Sequence, residues 1–143
     1  MNNEEIAIVD YGVGNLLSVT KALEFCGGNV KIISNPEDLL YFSKVVLPGV
    51  GAFSYAMDKL SSQGLDIAIK QIANRGDTIL GICLGMQLLL DESEEFGITN
   101  GLGLIPGRVI PIPAEINNIE QKIPHIGWSA IHKSASRLDW NDS

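Results

Sequence analysis

Apolar residues along this chain follow two rhythms. Ile6-Ala7-Ile8-Val9, Val30-Lys31-Ile32-Ile33, Lys44-Val45-Val46-Leu47 and Thr78-Ile79-Leu80-Gly81-Ile82 are short, β-branched runs, the pattern of buried strands. Between them the spacing is helical. Leu16, Val19, Leu23 and Cys26 share one face of a predicted helix, which places Cys26 in the core. Gly27-Gly28 closes that helix, because glycine accepts the left-handed conformation at a helix end. Ser34-Asn35-Pro36 opens a short helix with a cap and a proline in the first turn. Ala52 to Leu60 and Leu65 to Asn74 read as helices, the second with Leu65, Ala68, Ile69 and Ile72 on one face. Leu84 to Leu90 reads as a buried helix directly after the fourth strand.

Strand and helix in alternation imply an α/β fold, an open and mostly parallel sheet with helices on both faces. Such sheets bind ligands outside the carboxyl ends of their strands. The turns Asp10-Tyr11-Gly12-Val13-Gly14-Asn15, Pro48-Gly49-Val50-Gly51 and the one at Cys83 all fall at that edge. From Gly101 onward the pattern changes. Pro106, Pro111, Pro113 and Pro124 suit turns and edge strands, not central ones.

Composition narrows the function classes. A chain of 143 residues with 45% hydrophobic content suits one domain with a real core. The net charge is −7 and no Lys/Arg cluster is dense, which argues against a nucleic-acid partner. No apolar run approaches a membrane span, and the polar, acidic start differs from a signal peptide, so a cytoplasmic protein is expected. Cys26 and Cys83 are too few and too far apart for a disulfide framework or a metal site. Gly12-Val13-Gly14 lacks the third glycine of the dinucleotide fingerprint, and no cofactor is expected.

The chemistry gathers at Gly81-Ile82-Cys83-Leu84-Gly85, a nucleophile between two glycines at a strand-to-helix junction. The tight turn leaves no room for side chains at the flanking positions. A helix amino-terminus offers positive potential to an anion, and the Leu84 N–H, free in the first turn, can donate to an oxyanion. The plainer alternative is a structural cysteine in the core.

With Met86-Gln87-Leu88-Leu89, this segment resembles the active-site signature of class I (triad) glutamine amidotransferases. Asp10 to Leu16, Pro48-Gly49-Val50-Gly51-Ala52-Phe53, Gly101-Leu102-Gly103-Leu104-Ile105-Pro106-Gly107 and Pro124-His125-Ile126-Gly127-Trp128 resemble, in order, the glutaminase subunits of imidazole glycerol phosphate synthases. The resemblance implies a flavodoxin-like sheet and a heterodimer with a (β/α)8-barrel cyclase. L-glutamine would be hydrolysed and its ammonia handed to that partner for histidine biosynthesis. It implies Cys83 as the nucleophile that forms a glutamyl thioester, with Leu84, Val50 and Gly51 supplying a backbone oxyanion hole. Gln87, Glu95 and Gly49 would hold glutamine, and Asp10, Asn15 and His125 would face the partner. Each has a plainer reading. Gly49 and Gly51 can make an ordinary turn, Gln87 can be a half-exposed helix residue, and Asp10 to Asn15 an ordinary strand-to-helix turn. Asp91-Glu92-Ser93-Glu94-Glu95 is an acidic run of the kind usually solvated.

One part of the family pattern is missing. The base and its orienter form a His-x-Glu pair on a late strand. Here His125 belongs to the Pro-His-x-Gly-Trp segment, and His132 is followed by Lys133 and Ser134. The expectation is therefore one amidotransferase domain over residues 1–143, incomplete at its carboxyl end and inactive or nearly so alone. Ser129 stands where these glutaminases commonly carry asparagine, which leaves room for a paralogue serving another synthase, such as one in surface-sugar biosynthesis.

Overall fold

The four apolar runs pair in parallel as one sheet, in the order β2-β1-β3-β4. The structure, a computed structural model, describes residues 5–116, 119, 120, 127, 128 and 130. The strands are β1 (Glu5–Val9), β2 (Asn29–Ile33), β3 (Lys44–Leu47) and β4 (Thr78–Gly81). Helices α1 (Leu16–Phe25), α2 (Pro36–Leu39), α3 (Phe53–Ser62) and α4 (Leu65–Asn74) connect them. The chain steps one way from β1 to β2 and the other way from β2 to β3 and β4. Right-handed crossovers then put α1 on one face and α2, α3 and α4 on the other. Ala7, Val9, Val45 and Leu47 belong to the core cluster with Phe53, Leu60, Leu65, Ile69 and Ile72, the buried side chains of α3 and α4. The predicted stripe Leu65, Ala68, Ile69 and Ile72 is buried throughout.

The opposite face is thinner. Ile32, Ile8, Val46 and Leu80 lie in register across all four strands. Ile8 and Val46 are buried, but Ile32 and Leu80 are 49% and 50% exposed. Over this face α1 contributes no fully buried residue; Leu16, Val19 and Leu23 are half-buried. Its carboxyl end closes as predicted. Gly27 takes φ +87° and donates to the Glu24 carbonyl, and Gly28 donates to Leu23. That closure corrects the placement of Cys26 in the core. It is the cap residue, turned off the helix face at φ −80° and ψ 6°, and it is exposed.

The helix after Cys83 is also shorter than its apolar run. Helix α5 covers only Leu84–Leu88, not Leu84 to Leu90. Leu102 donates to the Leu88 carbonyl, Leu104 and Ile105 to Leu89, and Gly103 to Leu90. The carbonyls at the end of the apolar run are thus paired with another segment. Leu90 instead opens strand β5 (Leu90–Ser93), paired antiparallel with β6 (Thr99–Asn100) and parallel with β7 (Ile105–Val109). Strand β7 carries Pro106 and sits at an edge, as a proline requires. The acidic run is thus partly a strand, and Ser93 within it is fully buried.

Residues Met1–Pro111 form one compact unit and Ile112–Ser143 a second. Within the second, Glu115–Ile116 (β8) and Ile119–Glu120 (β9) make a short antiparallel pair. No described helix is long and apolar enough to cross a membrane.

Candidate active site

Cys83 adopts φ +56° and ψ −119°, a conformation that L residues rarely take and that costs of order 1–3 kcal/mol. Its surroundings enforce it. A β-carbon at position 81 would lie 2.5 Å from the Met86 Cα and 2.7 Å from its nitrogen. One at position 85 would run into the Leu47 carbonyl. Both flanking glycines are therefore demanded by contact. Leu84 and Leu88 anchor α5 in the core, while Cys83 stays exposed at the junction. The Cys83 carbonyl accepts from the N–H groups of Met86 (3.0 Å) and Gln87 (3.3 Å). The Leu84 N–H lies ahead of the first helical acceptor and has no recorded partner among the described residues.

The loop Pro48–Ala52 lies against this elbow because β3 and β4 are neighbours; the Ile82 N–H donates to the Leu47 carbonyl at 3.0 Å. The fully buried Tyr11 hydroxyl donates to the Pro48 carbonyl at 2.7 Å. Burial pushes the Tyr11 pKa from 10.0 up to about 12. Gly49 fills the space between Tyr11 and the elbow. Its missing β-carbon would meet the Tyr11 hydroxyl at 2.7 Å, the Gly85 nitrogen at 2.9 Å and the Leu84 Cβ at 3.0 Å. Gly49 is thus a close-approach glycine. Gly51 is needed for its backbone instead, at φ +93° with open space around it. Val50 between them is half exposed.

Two predicted substrate-binding residues meet in one cavity. Gln87 and Glu95 line a pocket of about 260 Å³ with Val109, Ile110 and Pro111. Gln87 is one helical turn after Cys83. Glu95 accepts a 2.7 Å hydrogen bond from the Phe53 N–H through its Oε2. Its own N–H donates to the buried Ser93 hydroxyl at 3.1 Å. The residues expected to face a partner do local work. Asp10 accepts from the Gly12 N–H at 3.0 Å, and Asn15 caps α1 by accepting from Ser18 at 3.2 Å. Both sit in the turn after β1, whose Gly14 abuts Pro48. His125 lies outside the described residues.

Sequence reasoning passed over Tyr11, Ser93 and the apolar wall Val109, Ile110 and Pro111. Tyr11 carries no local signal, since its partner is 37 residues away. Ser93 had one: as the uncharged residue amid four acids, it is the position in that run able to face inward.

A model of the glutamine amidotransferase class-I family matches residues 7–138. Over 136 residues the chain is 45% identical to imidazole glycerol phosphate synthase subunit HisH 1 of Legionella pneumophila (strain Lens), covering 94% of this chain and 64% of that one. It is 50% identical over 126 residues to subunit HisH of Moorella thermoacetica, covering 88% of this chain and 58% of that one. The chain thus spans less than two thirds of the length of these relatives. Among solved structures, a glutamine amidotransferase superposes with a TM-score of 0.63 at 20% identity, over 73% of this chain and 55% of the other. A putative peptidase E from Listeria monocytogenes EGD-e gives 0.55 at 15% identity, over 73% of this chain and 66% of its own. These two likenesses speak to the fold alone.

Proposed function

Since this chain belongs to the class-I glutamine amidotransferase family, we propose that it is the nucleophile-bearing part of a glutaminase that supplies ammonia to an imidazole glycerol phosphate synthase. The observation that carries the reading is the forced backbone of Cys83 between Gly81 and Gly85, with the Leu84 N–H free beside it. The Cys83 sulfur attacks the side-chain amide carbon of glutamine. The carbonyl electrons move onto oxygen, where the Leu84 N–H and the Val50-Gly51 loop stabilise the charge. Collapse expels ammonia, with a proton supplied by the base, and leaves a glutamyl thioester. Water then cleaves the thioester to glutamate and restores the thiol. Gln87 and Glu95 hold the amino-acid end of the substrate in their shared pocket.

The base is a histidine oriented by a carboxylate, and neither His125 nor His132 offers that spacing. In this reading the pair comes from residues outside these 143, and the ammonia is taken up by a (β/α)8-barrel cyclase in a cytoplasmic heterodimer. The names and identities of the relatives support that choice of synthase. Ser129 favours a related amidotransferase serving another synthase; failure to co-purify with a cyclase would select it.

Thiol competition tests the nucleophile. Cys26 and Cys83 are both exposed, so access does not separate them. Iodoacetamide is expected to modify Cys83 at least about tenfold faster than Cys26. Equal rates would remove the reading. In the complete enzyme paired with its cyclase, Cys83→Ala should cut glutamate release at least about a thousandfold. The 143 residues alone should release none.

A further inference from the structure

Helix α3 begins immediately after the Pro48–Ala52 loop, and its cap residue, Ala52, has no side chain able to accept a hydrogen bond. The first N–H groups of a helix need acceptors from outside it. The Phe53 N–H finds one 42 residues away in the Glu95 carboxylate, at 2.7 Å. A charge-assisted bond at a helix amino-terminus is favoured twice, by the ionised acceptor and by the helix dipole. Glu95 is itself held. Its N–H is bound to Ser93, which is fully buried, and the Glu94 N–H is bound to the Val109 carbonyl at 3.0 Å. The loop is therefore fastened at both ends by distant side chains, Tyr11 at Pro48 and Glu95 at Phe53. Glu95 also lines the pocket with Gln87.

We propose that Glu95 is a positioning residue for the loop Val50-Gly51 as well as a wall of the pocket, so that one carboxylate ties substrate binding to the placement of the oxyanion donors. The inference rests on the glutaminase reading for the identity of substrate and oxyanion. The fastening of the loop stands apart from that reading. One side chain then has two separable duties, and a second substitution separates them. Ala52 has φ −83° and ψ 138°, the extended conformation of a helix cap. Ala52→Asp can supply α3 with a cap of its own.

Amide hydrogen exchange at Ala56, whose N–H is bound to the carbonyl of the loop residue Ala52, reads the loop, and exchange at Ile69 and Ile72 in α4 reads the fold as a whole. Glutamine affinity, by calorimetry, reads the pocket. In the 143-residue chain, Glu95→Ala should speed exchange at Ala56 at least about tenfold and leave α4 unchanged. Adding Ala52→Asp to that variant should restore loop protection without restoring glutamine binding. In the complete enzyme with its cyclase, the same addition should recover kcat while KM stays raised. Unchanged loop exchange in Glu95→Ala overturns the proposal, and so does equal acceleration in α4. Glutamine binding undiminished by Glu95→Ala would sink the substrate role given to this pocket and leave the loop result to stand or fall by itself.

Discussion

At the scale of single residues, the site depends on groups with no catalytic chemistry of their own. Tyr11 donates across the sheet edge to Pro48 and blocks any side chain at Gly49. Its hydroxyl is buried, so ionisation is resisted until about pH 12. The folded pKa lies above the ordinary 10.0, so the folded chain binds this proton more tightly than the unfolded one. Tyr11 thus stabilises the fold fully below pH 10, and the contribution fades as the pH climbs to 12. Two pH units correspond to roughly 2–3 kcal/mol. Urea unfolding at pH 9 and pH 11 should show a steeper alkaline loss in the native sequence than in Tyr11→Phe. Parallel losses would remove Tyr11 as the cause. At neutral pH the same variant should cost about 1–2 kcal/mol, for the carbonyl left without its donor.

Among elements, the strands were legible and the ends of helices less so. Parallel strands are covered on both sides, so their apolar runs are nearly continuous. The runs of β1 to β4 and the stripe of α4 could be read for that reason. The end of α5 could not, because Leu90 is drawn into a sheet by pairing with Ile105, far along the chain. Cys26 kept helical spacing to Leu23 yet fell one residue past the helix, where the chain turns away. In the site, the flanking glycines were readable from the residues, while the grouping of Gln87 with Glu95 came only from the family resemblance. The bond from Phe53 to Glu95 was not, since it joins elements far apart in sequence. The elbow and the end of α1 also give a graded test of glycine. At Gly27 the space is open and only the positive φ opposes a side chain, so Gly27→Ala should cost about 1–2 kcal/mol. Gly85→Ala instead meets a collision with β3 backbone and should cost more than about 4 kcal/mol, enough to unfold a marginal domain. Similar denaturation midpoints for the two variants would contradict this account.

For the molecule as a whole, the uneven cover of the sheet matters most. The core lies between the sheet and the α2-α3-α4 layer. On the other face, Ile32 and Leu80 stay half exposed, and among the described residues β2 and β4 are open edges. Apolar surface beside an unpaired edge favours association. The chain alone should self-associate at tens of micromolar in sedimentation velocity, and Leu80→Thr should shift it toward monomer at a stability cost of about 1 kcal/mol. A native chain that stays monomeric and melts in one cooperative step would contradict the expectation.

The strand order is also a timetable. Both neighbours of β1, β2 and β3, precede β4 along the chain, and the turn at Cys83 is held in shape by the end of β3. Cys83 therefore cannot acquire its geometry until β4 has docked on β3. A growing chain therefore carries Cys83 without its elbow until β3 and β4 are paired.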